Sequence, residues 1–336
     1  MLNRNSTSVN LPVKLLVTII FITLVSVVSK RYGFHREPHL VAHSSVQQPI
    51  LLETRVPLIH VETRVPFLMY DNAVIVVAII NGKPTKCQID TGAQQIMWNA
   101  ERNLTDQRTG SEMLVGDAGG HKVRLQEAIL DNVQIGGLKL SHVRSYVIPS
   151  GHENPNTVPA LGNSVFADTV LTIDYARQEL IIQPSAPNTV PPSVLDRRHV
   201  LNFRWINPTV RGEYGVPCVR GKIMSSPCDT IIDTGWLSSS VSITKSFYQQ
   251  LLPQLKASRI REHKADGKFF LGRAGTTIIS RVSSSYAGIT SISSASVVTI
   301  LSPPAQAILG YGFLRTRRIT IDYPNKKVWF EGTSKN

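Results

Sequence analysis

Ile89-Asp90-Thr91-Gly92 and Ile232-Asp233-Thr234-Gly235 are one tetrapeptide written twice. Working outward from them, two more elements recur in the same order. Ala160-Leu161-Gly162 follows the first copy and Ile308-Leu309-Gly310 the second; Thr172-Ile173-Asp174-Tyr175 then matches Thr320-Ile321-Asp322-Tyr323. The aspartate lies 72 residues before the glycine in the first half and 77 in the second, and 12 residues separate that glycine from the later aspartate in both. A frame of three ordered matches marks an internal duplication. Between the halves, Pro184, Pro187, Pro191 and Pro192 make a stiff connection that cannot continue a sheet. The expected units are therefore 66–184 and 201–333, joined by a linker at 185–200.

The halves read as all-β. Ala73–Ile80 (AVIVVAII) is β-branched and apolar, and Asn81-Gly82 is a hairpin turn that returns the chain through Thr85–Ile89 to the first Asp-Thr-Gly. Gly136-Gly137 divides a second strand pair, and both TIDY segments open terminal hairpins. Lys245–Leu255 is the best helical stretch. Short strands with Gly and Asn turns imply a barrel or sandwich per half.

The 336 residues carry 36 Lys+Arg against 23 Asp+Glu, a net charge of +13. No nucleic-acid module accompanies this charge, so nucleic acid is not expected as a partner. Three cysteines are too few for a disulfide scaffold or a four-cysteine zinc site. Leu15–Ser29 is uncharged and flanked by Lys14 and Lys30-Arg31. Residues 1–31 are read as an N-terminal hydrophobic helix, an uncleaved membrane anchor in preference to a cleaved signal. Residues 32–65, with Glu-Thr-Arg-Val-Pro at 53–57 and again at 62–66, are read as a spacer. The body would then be membrane-anchored or secreted, and extracytoplasmic.

An aspartate closing an apolar strand projects its carboxylate from a rigid base. The following glycine leaves backbone N–H groups free to point at it, and the threonine hydroxyl can bond across a two-fold-like interface. Two such turns brought together hold one proton between two carboxylates, because like charges so close resist joint ionisation. One carboxylate then serves as base toward a water and the other as acid toward a carbonyl oxygen. No cofactor is needed, and no His, Asp or Glu cluster has metal-ligand spacing.

Two Asp-Thr-Gly turns, each followed by an apolar-apolar-glycine segment, resemble the aspartic peptidases. The N-G-K-P hairpin, IDTGA and ALG of the first half are similar to the retropepsin type. The resemblance spans about Val65 to Glu331. It implies two retropepsin/pepsin-like lobes, each a closed β-barrel, with the active cleft between them. It implies Asp90 and Asp233 as the catalytic pair of an endopeptidase hydrolase, supported by Thr91, Gly92, Thr234 and Gly235. Gly162 and Gly310 would pass behind the turns. By position, Gly116, Gly119 and Gly120 mark a first flap and Gly267 a second. A protein or peptide would be the substrate, and the expected state is a monomer whose halves form an intramolecular pseudo-dimer.

Two departures bear on turnover: Trp236 stands where Ala93 stands in the first half, and the first flap lacks a tyrosine. The alternatives are an inactive peptide- or partner-binding pseudoprotease and a peptidase that cuts its own spacer. Asp174 and Asp322 are read as turn residues and Cys87 as a buried apolar group; Cys218 and Cys228 could pair in an oxidising compartment but do not face each other if the strands fold about Ser225-Ser226, and His121 is read as a solvated loop residue in preference to a substrate contact.

Overall fold

The computed structural model describes residues 61–332, apart from 118–119, 152–157, 186–199, 207–213, 238–239, 270–271 and 299–304. The hydrophobic segment at 1–31 and most of the spacer and linker lie outside these residues. Among the described residues no helix is long and apolar enough to cross a membrane.

The first half forms β1 (Thr63–Pro66), β2 (Leu68–Tyr70), β3 (Ala73–Ile80), β4 (Lys83–Ile89), β5 (Ile96–Asn99), β6 (Arg108–Gly116), β7 (Lys122–Ile135), β8 (Leu138–Ile148), β9 (Ala160–Leu161), β10 (Thr169–Asp174) and β11 (Glu179–Pro184). The second half repeats the series. It runs β12 (Val200–Ile206), β13 (Val216–Ile223), β14 (Ser226–Ile232), β15 (Val241–Thr244), helix α1 (Lys245–Ala257), β16 (Glu262–Phe269), β17 (Gly272–Tyr286), β18 (Ile289–Val298), β19 (Ala307–Leu309), helix α2 (Tyr311–Leu314), β20 (Arg317–Asp322) and β21 (Lys327–Gly332). The single strand β12 does the work of both β1 and β2, pairing with β21 on one side and β13 on the other.

In the first lobe the pairing order runs β3-β4-β9-β5-β8-β7, and β7 also pairs back onto β3. The second lobe gives β13-β14-β19-β15-β18-β17 with β17 back onto β13. Local chemistry explains the first hairpin: β3 is almost wholly buried, and Asn81 and Gly82 both take positive φ (46° and 78°), which suits the strand twist. Helix α1 is capped by Thr244, whose hydroxyl accepts the Phe247 N–H, and it buries Phe247, Leu251 and Leu255 on one stripe.

A sheet shared by the lobes underlies both. Its order is β1-β11-β10-β20-β21-β12, three strands from each half. At its centre β10 and β20 run antiparallel with Thr172 opposite Thr320, and their hydroxyls meet at 2.9 Å in a buried position. The pseudo-two-fold axis passes here, which accounts for the recurrence of TIDY. Asp174 accepts the N–H groups of Ala176 and Arg177, and Asp322 that of Asn325, so both aspartates close hairpin turns.

The spacer ends earlier than the sequence reading placed it. Thr63–Pro66 is already the edge strand of the shared sheet: Val65 is buried, Arg64 pairs with Glu179 at 2.8 Å, and Glu62 accepts from Gln183. A charged, repeated segment hid a strand because alternate residues face solvent. All three cysteines are free and buried; Cys218 lies opposite Ile231 and Cys228 opposite Gly221, so the two are not cross-strand partners.

Thr172→Val leaves the Thr320 hydroxyl buried without a partner and is expected to cost about 1–3 kcal/mol in denaturant unfolding. The double change Thr172→Val with Thr320→Val removes both hydroxyls and should recover most of that loss; equal losses in single and double variants would refute the pairing as its source.

Candidate active site

Strands β4 and β14 deliver the two Asp-Thr-Gly turns to the boundary between the lobes. Each strand is held from behind by a parallel neighbour, β9 for β4 and β19 for β14, so the Asp90 N–H donates to Leu161 and the Asp233 N–H to Leu309. Gly162 allows the first of these passages: a Cβ there would stand 2.4 Å from the Gln95 carbonyl oxygen.

The threonines interlock. The Thr91 N–H donates to the Thr234 hydroxyl and the Thr234 N–H to the Thr91 hydroxyl, both at 3.0 Å. Each hydroxyl passes its own hydrogen across the boundary, from Thr91 to the Ile232 carbonyl (2.8 Å) and from Thr234 to the Ile89 carbonyl (2.9 Å). Both residues are 1% exposed, so four bonds are made where water does not compete.

This lock presses each glycine against the opposite carboxylate. A Cβ on Gly92 would lie 2.3 Å from Cγ of Asp233, and one on Gly235 would lie 2.5 Å from Cγ of Asp90. The two half-buried carboxyl groups are thereby brought close together. Asp90 Oδ1 accepts the N–H groups of Gly92 (2.9 Å) and Ala93 (3.2 Å). Asp233 accepts those of Gly235 and Trp236 in the same way, while its Oδ1 is buried with no donor among the described residues.

Loss of hydration raises the pKa of both groups. For Asp90 the two N–H donors work against the rise. For Asp233 the charge of Asp90 adds to desolvation and carries it well above the ordinary carboxylate range. The pair therefore keeps one proton to higher pH than a free carboxyl would.

Trp236 leaves this backbone unchanged. Its carbonyl accepts the Tyr311 N–H at 2.8 Å, as Ala93 accepts from Asn163 at 3.0 Å, and the N–H of each returns to its own aspartate. Of the glycines read as flap candidates, the described ones fall on two long hairpins. Gly116 ends β6 and pairs with Lys122; Gly267 lies in β16 opposite Ala274; Gly120 has φ of 96°; Gly119 lies outside the described residues. His121 is a partly exposed loop residue, as read, and its Nδ1 sits 3.0 Å from the carboxylate of Asp117, whose side chain is 4% exposed. An open depression lined by Lys245, Lys264, Thr276 and Thr277 lies on the second lobe and includes no residue of the turns.

Sequence reasoning missed Asn163 and Tyr323. Asn163 donates to the carbonyls of Thr91 and Ala93 and accepts from the Tyr323 hydroxyl. The signal available was the polar residue directly after ALG.

The profile of the gag-polyprotein putative aspartyl protease family matches residues 76–168. No curated protein matches the chain. Among solved structures, the aspartic proteinase from Irpex lacteus superposes with a TM-score of 0.53 at 12% identity, covering 81% of this chain and 98% of that one.

Gly235→Ala is expected to force the turns apart and to cost about 1–3 kcal/mol or more, as overpacking of a tight contact does; an unfolding midpoint within error of the parent would contradict the contact. The raised carboxyl pKa values carry a second expectation. A group that holds its proton more tightly when folded weakens the fold as it ionises. The penalty is absent below about pH 4, where both states are protonated, and grows as pH rises through the folded values. Asp233→Asn should therefore raise the Tm at about pH 7 and make no difference near pH 3. A thermal-unfolding gain of the same size at every pH would show that the pair is not coupled.

Proposed function

We propose that this chain, retropepsin/pepsin-like in family and fold, is an aspartic endopeptidase that hydrolyses peptide bonds between Asp90 and Asp233. The observation that carries the reading is the reciprocal Thr91–Thr234 lock, which holds two carboxyl groups close together.

The chemistry follows from the asymmetry of the pair. Ionised Asp90 takes a proton from a water lying between the carboxyls, and the oxygen attacks the peptide carbon. Protonated Asp233 gives its proton to the carbonyl oxygen. The tetrahedral species collapses when the leaving nitrogen takes the proton from Asp90, and Asp233 recovers its own. One water and one peptide give one acid and one amine, with no covalent intermediate. An extended protein or peptide segment would lie along the boundary between two barrel-like lobes. The β6–β7 and β16–β17 hairpins, one from each lobe, would close over it. Residues 1–31 would tether this body to a membrane, and extraction of the full chain by alkaline carbonate would count against the tether.

The full chain incubated with a mixed peptide library across about pH 3–8 should cleave in a bell-shaped range that follows the singly protonated pair. Asp90→Asn and Asp233→Asn should each lower the rate by at least about a hundredfold. Absence of cleavage at every pH by folded protein, or cleavage that survives either change, would overturn this function.

A further inference from the structure

The two turns are built alike but supported differently from behind. Under the Asp90 turn, fully buried Asn163 donates from Nδ2 to the carbonyls of Thr91 (2.8 Å), Ala93 (2.8 Å) and Gly215 (3.2 Å), and the Tyr323 hydroxyl donates to its Oδ1 (2.9 Å). The repeat sets Tyr311 at the place of Asn163, Tyr175 at that of Tyr323, Thr234 at that of Thr91, and Asn72 at that of Gly215.

Tyr311 does not replace the amide. It is partly exposed, and the Arg315 guanidinium stands 5.7 Å from its ring centre. Among the described residues no side chain donates to the Thr234 carbonyl as Asn163 does to that of Thr91. Tyr175 keeps the packing of its twin: its ring meets Phe67 edge-on at 6.1 Å, as Tyr323 meets Phe203 at 6.3 Å. It also touches the Tyr311 ring at 6.3 Å. Yet the Tyr175 hydroxyl, on a residue 7% exposed, has no partner among the described residues. A buried hydroxyl left unpaired costs about 1–3 kcal/mol, and protein interiors place water at polar sites of this kind.

We infer that one water molecule is bound behind the Asp233 turn in the role of the Asn163 amide, accepting from the Tyr175 hydroxyl and donating to the Thr234 carbonyl. The carbonyl of Asn72, at the place of Gly215, is the second acceptor. Tyr175 is thereby a positioning residue for the Asp233 turn. The titratable groups that face it are Asp233 and Tyr311; burial above all pushes its pKa up, so the hydroxyl stays a neutral donor. The catalytic consequence rests on the proposed peptidase reading, whereas the bound water does not.

A structure of the protein at a resolution that places ordered water decides the first point. A water within hydrogen-bond distance of Tyr175 Oη and the Thr234 carbonyl is expected; a dry site, or a hydroxyl bonded directly to protein, overturns the inference. Tyr175→Phe removes the hydroxyl alone. Its structure should lack the water and show the Asp233 carboxylate displaced from Asp90; an unmoved turn overturns the positioning role, whether or not peptides are cleaved. In kinetics, kcat should fall about tenfold, the worth of one hydrogen bond, with KM unchanged. An unchanged kcat, or a change confined to KM, overturns that role. If the parent protein cleaves nothing, the peptidase reading fails while both structural results still decide the water and the positioning.

Discussion

Four hydrogen bonds between Thr91 and Thr234 and the carbonyls behind them fix everything else at the boundary of the lobes. Threonine alone of the small residues supplies a hydroxyl that accepts one N–H and donates to one carbonyl while its methyl fills apolar space. Because each threonine uses its partner's backbone, neither turn can satisfy its polar groups alone. The glycines follow from the same constraint, since the closeness that lets the threonines interlock leaves no room for a Cβ beside the facing carboxylate. The raised carboxyl pKa values are the electrostatic result of that closeness.

The lock is small, and the shared sheet keeps it aligned. Strands β10 and β20 meet at Thr172 and Thr320 on the pseudo-two-fold axis, so rotation of one lobe against the other must break a six-strand ladder. The Tyr323–Asn163 bond then carries the register of that sheet into the Asp90 turn. Among the described residues the second turn shows no tyrosine–asparagine connection of this kind. It is tied across the boundary by Asn72, whose amide donates to the Leu237 carbonyl at 3.1 Å. One duplicated frame has thus acquired two different fastenings.

Much of this was legible in the sequence because it was written twice. The Asp-Thr-Gly pairs, the TIDY strands and the Asn81-Gly82 turn are local patterns whose geometry depends on adjacent residues. What escaped depends on distant ones. Asn163 and Tyr323 are 160 residues apart, and neither carries a mark of its partner. The pairing of His121 with Asp117 needed the hairpin to be drawn before the two could face one another. Strand β1 reads as a polar spacer until the groove receiving Val65 is known. Trp236 looked obstructive from its size, but the turn is governed by backbone N–H groups, which tryptophan supplies as alanine does.

The shared sheet also settles how the site comes into being. In a homodimer two identical turns meet only when two chains do, so the site dissolves on dilution and any substitution appears twice. Here the partner turn is always present on the same chain, at an effective concentration that no dilution can lower. Assembly is unimolecular, and the halves are released from identity. Differences such as Trp236 against Ala93, Tyr311 against Asn163, and a 13-residue helix found among the described residues in the second lobe alone become available once the two copies no longer have to be the same surface.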